Sequence, residues 1–128
     1  MWGAFLVGCG GFLGSIARYV MGCGVRSFFP SLQFPVATMG VNLIGCLLIG
    51  IIGGIYSQSG VERDSLVLFF VVGVLGGFTT FSSFGYELFE FAHRREMGTL
   101  LVYACGSVLG GVAACGVGWI GVMKLLAR

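Results

Sequence analysis

The sequence predicts an all-α membrane protein in which four transmembrane helices form a single domain over residues 1–128. The 128 residues are 57% hydrophobic and only 9% charged, whereas about a quarter of the residues in soluble domains are charged. The mean hydropathy is +1.01. A spanning helix needs about 20 apolar residues. Four windows of suitable length contain no charged residue, and each predicts one helix: 1–17 (extended past Arg18), 27–61, 65–86 and 97–123.

The first helix is predicted from residue 2 to about residue 24. A cleavable signal peptide is the competing interpretation, but the basic n-region is missing and Arg18 stands where the apolar stretch should close. Arg18 lies about 24 Å from Trp2 along the helix. It is either an arginine that snorkels to the interface beside Tyr19 or a guanidinium at the mouth of an anion pathway. The residues alone leave both roles open.

The second helix is predicted over Val36–Ser57, after a loop that contains two prolines. Asn42 is its strongly polar interior residue, and Thr38 and Cys46 lie four residues away on either side. Asparagine in a membrane helix commonly makes interhelical hydrogen bonds. Its amide is also a neutral donor that can meet an anion. Structural and functional roles for Asn42 therefore both remain open.

The third helix is predicted over residues 65–91, after a charged turn at residues 61–64, and is expected to be interrupted near Gly76. The stretch 73–84, GVLGGFTTFSSF, places two glycines before two threonines and two serines. Gly76 and Gly77 weaken the helix where these hydroxyl groups begin. A membrane helix tolerates such an interruption where it lines a water-filled cavity. The stretch therefore predicts a broken helix that lines an ion path.

Phenylalanine rings alternate with the hydroxyl groups of this stretch. Phe78, Phe81 and Phe84 repeat every three residues, which predicts that they share one helix face. That face either meets lipid or a neighbouring helix, or turns its ring edges, which carry partial positive charge, toward a small anion. The alternating hydroxyl groups favour the second interpretation.

The fourth helix is predicted over residues 97–123, with Tyr103 and Ser107 on one face. Small-xxx-small glycine pairs in three of the helices predict close helix packing: Gly10/Gly14, Gly73/Gly77 and Gly106/Gly110. The five cysteines show no disulfide or metal-binding spacing, so we interpret them as small apolar residues.

The charge distribution bears on both transport and topology. All five acidic residues are predicted to lie in loops or at helix ends, so cation or proton transport of the carboxylate type lacks its residue: Glu62, Asp64, Glu87, Glu90 and Glu96. The basic residues of the loops and termini divide equally between the two sides, with Arg63, Lys124 and Arg128 on one and Arg26, Arg94 and Arg95 on the other. The positive-inside rule then assigns no orientation, and both orientations can be inserted. Two inverted copies could form an antiparallel homodimer.

Three segments in order resemble those of one known family. The stretch 73–84 resembles the GxxGGxTTFSTF signature of the Fluc/CrcB fluoride channels. Residues 10–19, GGFLGSIARY, are similar to the family's GGxxGAxxRY segment, and residues 38–45, TMGVNLIG, to its GTxxVNxxG segment. The resemblance covers essentially the whole chain.

The resemblance implies a channel that exports fluoride passively, built as an antiparallel dual-topology dimer in the cell membrane, with the bacterial inner membrane expected. It implies that Phe81 and Phe84 line the fluoride path and that Asn42 donates to the ion. Other implied pathway positions are Thr80, Ser83, Tyr103, Ser107 and Arg18. The backbone carbonyls of Gly76 and Thr79 would hold a structural sodium ion at the dimer centre. Fluoride, lipid and a second copy are the expected partners, and neither enzymatic activity nor a nucleic-acid partner is expected.

The sequence departs from the family pattern at two positions. Ser83 stands where the signature has threonine, which keeps the hydroxyl group. Gly111 stands one turn after Ser107, where some relatives continue a polar track with a hydroxyl residue. Two rival functions remain: a small dual-topology multidrug-type transporter, which would need an embedded carboxylate, and a non-conducting membrane subunit.

Overall fold

The structure, a computed structural model, describes residues 1–59 and 65–127. Its helices in this part of the chain are α1 (Trp2–Phe28), α2 (Val36–Ser59), α3 (Ser65–Val67), a π-helix (Leu68–Leu75), α4 (Gly76–Phe78), α5 (Phe81–His93) and α6 (Met97–Leu126). Four helical spans of this part are long and apolar enough to cross a membrane: Trp2–Phe28, Val36–Ser57, Ser65–His93 and Met97–Leu126. We number them spans 1 to 4. The predicted four-span, all-helical architecture is confirmed.

The helices extend beyond the ends that the sequence predicts. Span 1 continues to Phe28 rather than to about residue 24, and the backbone N–H of Phe29 still donates to Val25 O at 2.9 Å. Arg26 therefore lies on α1 and not in the following loop. The predicted charged turn at residues 61–64 lies outside the described residues.

Span 1 packs closely on the first half of span 3, backbone against backbone. A Cβ added to Gly10 would lie 2.9 Å from Gly73 Cα, and one added to Gly14 would lie 2.8 Å from Phe78 N. The paired residue numbers rise together, so the two spans run parallel. Small residues allow this approach, as the glycine pairs predict.

Span 2 packs on span 4 in the same way. A Cβ on Gly110 would lie 3.0 Å from Leu43 Cδ2, and one on Gly118 would lie 2.8 Å from Ile51 N. These numbers also rise together, so α2 and α6 are parallel. The fold therefore consists of two parallel helix pairs, and the second half of span 3 lies against both α2 and α6.

Span 3 changes backbone conformation along its length. The π-helix leads into α4, and Gly76 is still helical, with φ −63° and ψ −37°. Thr79 and Thr80 are extended, with φ −79°, ψ 161° and φ −150°, ψ 120°. The expected interruption near Gly76 is thus displaced by three residues. Phe78 precedes these two residues, so the predicted common helix face of Phe78, Phe81 and Phe84 is wrong for Phe78.

α5 ends in a C-terminal cap in which one residue has a left-handed backbone conformation. Arg95 has φ 61°, its N–H donates to Ala92 O at 3.1 Å, and the N–H of Glu96 donates to Phe91 O at 2.9 Å. This pair of hydrogen bonds is the Schellman arrangement, in which glycine is the usual residue. It directs the chain from α5 into α6.

Candidate functional site

Asn42 holds the extended segment of span 3 through two hydrogen bonds. Its Nδ2 donates to Thr80 O at 3.1 Å, and the backbone N–H of Thr80 donates to Asn42 Oδ1 at 2.9 Å. In a continuing helix the Thr80 N–H would instead bond to Gly76 O. The amide of Asn42 therefore replaces the helical partner of Thr80.

Arg18 reaches the same segment from span 1. Its Nη1 donates to Thr79 O at 3.1 Å, and the residue is half-buried. The guanidinium therefore points into the protein, where it satisfies a carbonyl at the end of α4. A snorkelling arginine extends its charge toward the interface, whereas the guanidinium of Arg18 is directed at a backbone carbonyl of span 3.

The hydroxyl of Thr80 caps the second half of span 3. Thr80 is buried, and its Oγ1 accepts from the Ser83 backbone N–H at 3.2 Å and donates to Ser83 Oγ at 3.0 Å. It also lies 3.3 Å from Ser82 Oγ. Threonine at this position satisfies a donor that the first turn of a helix leaves unpaired. Three hydroxyl groups consequently gather at the start of α5.

Glu87 is a site residue that the sequence interpretation missed. It was expected at a helix end or in a loop, but it is the seventh of 13 residues in α5 and is half-buried. Its Oε1 accepts from Thr38 Oγ1 at 2.7 Å, and its Oε2 accepts from the Tyr103 hydroxyl at 2.5 Å. The spacing that relates Phe81 to Phe84 continues to Glu87, and this signal could have identified it.

Aromatic rings surround Tyr103, which is completely buried. Phe84, Phe34 and Phe91 meet it edge-on, with ring centroids 5.1, 5.5 and 6.1 Å away. Phe81 lies 6.0 Å from Phe84 but is 84% exposed. The two phenylalanines of the signature are therefore neighbours in different surroundings, one inside the chain and one on its surface.

Three cavities with common lining residues follow one another through this site. The mouth cavity, about 400 Å³, is lined by residues that include Arg26, Thr38, Glu87, Glu90 and Arg94. The middle cavity, about 130 Å³, is lined by Arg18, Thr38, Thr80 and Ser83, together with three apolar residues. The deep cavity, about 310 Å³, is lined by Asn42, Thr79, Thr80, Phe81, Gly76 and five others.

The order of these cavities follows from the residues that they share. Thr38 lines both the mouth cavity and the middle cavity, and Thr80 lines both the middle cavity and the deep cavity. A threonine is therefore shared by each neighbouring pair of cavities. The structure brings the side chains of Arg18, Asn42 and Ser83 together around this series.

Two predicted pathway residues of span 4 lie apart from the cavity linings. The ring of Tyr103 contacts Phe84, and its hydroxyl donates to Glu87, which lines the mouth cavity. Tyr103 therefore lies next to that cavity. Ser107 has a buried Oγ without a hydrogen-bond partner among the described residues. Gly111, one turn further, faces Cys46, because a Cβ there would lie 3.2 Å from Cys46 Sγ. The thiol of Cys46 fills the space next to this glycine.

Gly76 and Thr79, the predicted sodium ligands, both line the deep cavity. The N–H of Thr80 is diverted to Asn42, so the carbonyl of Gly76 loses its ordinary helical donor. Thr79 O accepts from Arg18, but a carbonyl oxygen has a second lone pair. Carbonyl oxygens suit a hard cation, so the chemistry of this donor set fits sodium, with Arg18 as a competing positive charge.

Comparison with known proteins assigns the sequence to a family. Residues 5–119 match the family described as CrcB-like protein, Camphor Resistance (CrcB). The chain belongs to the CrcB-like family. The chain is also 38% identical over 116 residues to a protein of Azobacteroides pseudotrichonymphae named fluoride-specific ion channel FluC, covering 91% of this chain and 92% of that protein.

Further CrcB-like relatives carry the same name. The Helicobacter acinonychis protein is 38% identical over 120 residues, which cover 93% of this chain and 91% of that protein. The Nitrobacter winogradskyi protein is 40% identical over 108 residues, which cover 84% and 85%. Both are named fluoride-specific ion channel FluC. Family and spans together make this chain a multi-pass membrane protein.

Proposed function

We propose that this CrcB-like chain is a fluoride channel that lets fluoride leave the cytoplasm passively, down its electrochemical gradient, and so lowers its toxicity. The observation that carries the proposal is the series of three cavities that share Thr38 and Thr80 as lining residues. The relatives named fluoride-specific ion channels supply the identity of the ion. A channel of this kind is not an enzyme.

The donors along the series can replace the water that a small anion loses. In the middle cavity the anion meets the guanidinium of Arg18 and the hydroxyl groups of Thr80 and Ser83. In the deep cavity it meets the amide of Asn42 and the ring of Phe81. Hydroxyl and amide groups donate without a full charge, so they stabilise fluoride without trapping it. Conduction requires such moderate binding at successive sites.

The aromatic rings extend this path beside span 4. Phe84 and Tyr103 meet edge-on, and ring edges carry the positive end of the aromatic quadrupole. The unpartnered hydroxyl of Ser107 is available to donate to an ion on the same side. We assign Phe81, Phe84, Tyr103 and Ser107 to the aromatic and hydroxyl side of the fluoride path.

The functional unit is proposed to be an antiparallel dual-topology homodimer. Phe81 is 84% exposed and borders the deep cavity, which suits a surface that a second copy covers. The equal division of basic residues supports insertion in both orientations. A C-terminal reporter should therefore be detected on both sides of the membrane. Detection on one side alone would remove the antiparallel arrangement.

A structural sodium ion is proposed at the centre of this dimer, held by the backbone carbonyls of Gly76 and Thr79 from each copy. The ion would offset the carbonyl dipoles that the end of α4 leaves without helical donors. Purified dimer should melt at a higher temperature in sodium than in potassium or in a large organic cation, because sodium binds only the folded dimer. Equal melting temperatures would contradict this site.

The multidrug-type alternative needs an embedded carboxylate that is free to exchange protons for a cationic substrate. Glu87 is a carboxylate within span 3, which corrects the argument that the sequence lacks one. Both of its oxygens are nevertheless hydrogen-bonded, to Thr38 and Tyr103. A non-conducting subunit would leave the series of cavities without a role. Neither alternative matches the relatives' names.

The decisive experiment measures anion release from liposomes. Liposomes that contain the purified chain should release fluoride rapidly under a gradient and release hardly any chloride. Empty liposomes provide the background rate. Equal release of the two anions would contradict fluoride selectivity, and release at the background rate would contradict conduction. The expected membrane in cells is the bacterial inner membrane, which cell fractionation can test.

A further inference from the structure

The mouth cavity carries a balanced set of charges. It is lined by two carboxylates, Glu87 and Glu90, and by two guanidinium groups, Arg26 and Arg94. Glu87 has both oxygens occupied by hydroxyl donors, and Glu90 Oε1 lies 3.5 Å from Arg94 Nη2. The net formal charge of these four groups is zero.

The ion pair between Glu90 and Arg94 does little for stability. The side chains are 39% and 54% exposed and lie one helical turn apart, and exposed pairs of this kind contribute little to folding. Charges at the opening of a cleft have a second effect, because they set the local concentration of an ion that enters. Two unopposed carboxylates would repel fluoride from this opening.

We propose that Arg94, assisted by Arg26, is an entry residue that neutralises the carboxylates of the mouth cavity and so admits fluoride. This role rests on the proposed fluoride conduction. Arg26 projects from the last turn of α1 and Arg94 from the end of α5, so two separate elements bring positive charge to one opening. Arg95, the next residue, is absent from the described lining of the mouth cavity.

The role predicts opposite effects for the two partners of the ion pair. Arg94→Gln leaves the mouth with a net negative charge and should slow fluoride release about twofold at 0.1 M ionic strength. Glu90→Gln should accelerate release about twofold for the same reason. Arg94→Gln combined with Glu90→Gln restores neutrality, so its rate should match that of the unmodified chain.

The experiment compares fluoride release from liposomes at 0.1 M and 1 M ionic strength, set with an impermeant salt. Screening shortens the range of these charges from about 10 Å to about 3 Å, so the differences should disappear at 1 M. Arg26→Gln should act like Arg94→Gln, and Arg94→Lys should keep the normal rate. Arg95→Gln is the matched control, with the same loss of charge one residue away but outside the described lining, and should have a smaller effect.

The outcomes separate this inference from the proposed function. If the unmodified chain releases no more fluoride than empty liposomes, the proposed function and this role both fail. If the unmodified chain conducts but Arg94→Gln behaves like Arg95→Gln, the channel stands and this role is overturned. A slow rate that persists at 1 M ionic strength also overturns it, because a structural defect is not screened. Size-exclusion profiles of all variants check that the dimer survives.

Discussion

The two halves of span 3 differ in how they are held. The first half, residues 65–78, is apolar after Ser65 and contacts α1 through glycine backbones at Gly73 and Gly77. The second half, α5, is held by hydrogen bonds from side chains of α2 and α6 to Thr80 and Glu87. One chain segment therefore combines a tightly packed support with a polar, cavity-lining element.

The difference teaches how a short membrane chain can keep polar groups inside. Lipid offers no hydrogen-bond partners, so each polar group of α5 requires a partner from the protein. The close glycine contacts of the first half bring span 1 near enough for Arg18 to reach Thr79 O. The close packing of span 1 on the first half of span 3 therefore positions Arg18, one of the hydrogen-bond donors of the site.

The largest expected effect comes from a substitution that disrupts the glycine contacts between span 1 and the first half of span 3. Gly14→Ala places a Cβ against Val74 O and 2.8 Å from Phe78 N, and should lower the free energy of unfolding by about 3 kcal/mol through overpacking. Gly8→Ala makes the same exchange on the same helix, where nothing lies within 4 Å. It should be neutral or stabilise slightly. Thermal unfolding in detergent measures both, and equal melting temperatures would contradict the packing contrast.

The next effect concerns the hydrogen bonds that hold the extended segment. Asn42→Ala removes both bonds to Thr80 and should cost about 2 kcal/mol, because it leaves buried backbone groups unpaired. Fluoride release should fall at least about tenfold. Asn42→Asp retains an acceptor for the Thr80 N–H but replaces the donor to Thr80 O by a carboxylate oxygen, so it should be no more stable than Asn42→Ala.

The aspartate variant adds a charge at the same position. Its carboxylate places a negative charge in the deep cavity, so fluoride release should be at least as slow as in Asn42→Ala. Normal fluoride release from liposomes that contain Asn42→Asp would show that ions do not pass Asn42.

The sequence predicted the four spans, and it singled out several of the residues that line the middle and deep cavities, because both depend on local patterns. Charge-free windows identify membrane spans, and hydroxyl groups in an apolar run identify a polar segment. The position of the interruption was less predictable, since Gly76 and Gly77 stay helical. The extended residues are Thr79 and Thr80, and their partners Asn42 and Arg18 come from other spans.

Glu87 shows why part of the site could be identified only from the structure. By sequence it follows the last charge-free position of the window 65–86 and therefore looked like the end of a helix. The helix continues to His93, and Thr38 and Tyr103 come from two further spans to pair the carboxylate. Pairing across spans that are distant in sequence cannot be read from one helical pattern.

The two phenylalanines of α5 should respond differently to the same exchange. Phe84→Ile removes the edge contact with Tyr103 and should lower stability by about 1 kcal/mol. Phe81→Ile, at a position that is 84% exposed, should change the stability of the single chain by less than about 0.5 kcal/mol. Both should slow fluoride release while the dimer survives. Unchanged fluoride release would indicate that these two rings only make packing contacts.

A further small effect is expected at the end of α5. Arg95 occupies a left-handed position with φ 61°, where glycine avoids the steric cost of a Cβ. Arg95→Gly should raise the free energy of unfolding by about 0.5–1 kcal/mol. Arg94→Gly is the comparison, since Arg94 has φ −77° and gains nothing from glycine. A lower melting temperature for Arg95→Gly than for the unmodified chain would contradict this account.

The most direct test of the pathway compares two neighbouring threonines in the liposome assay. Thr80 lines both the middle and the deep cavity, whereas the hydroxyl of Thr79 donates back to Leu75 O at 2.9 Å. Thr80→Val should slow fluoride release about tenfold or more, and Thr79→Val, the same exchange one residue earlier, should have a much smaller effect. Equal rates for the two variants would contradict a path through Thr80.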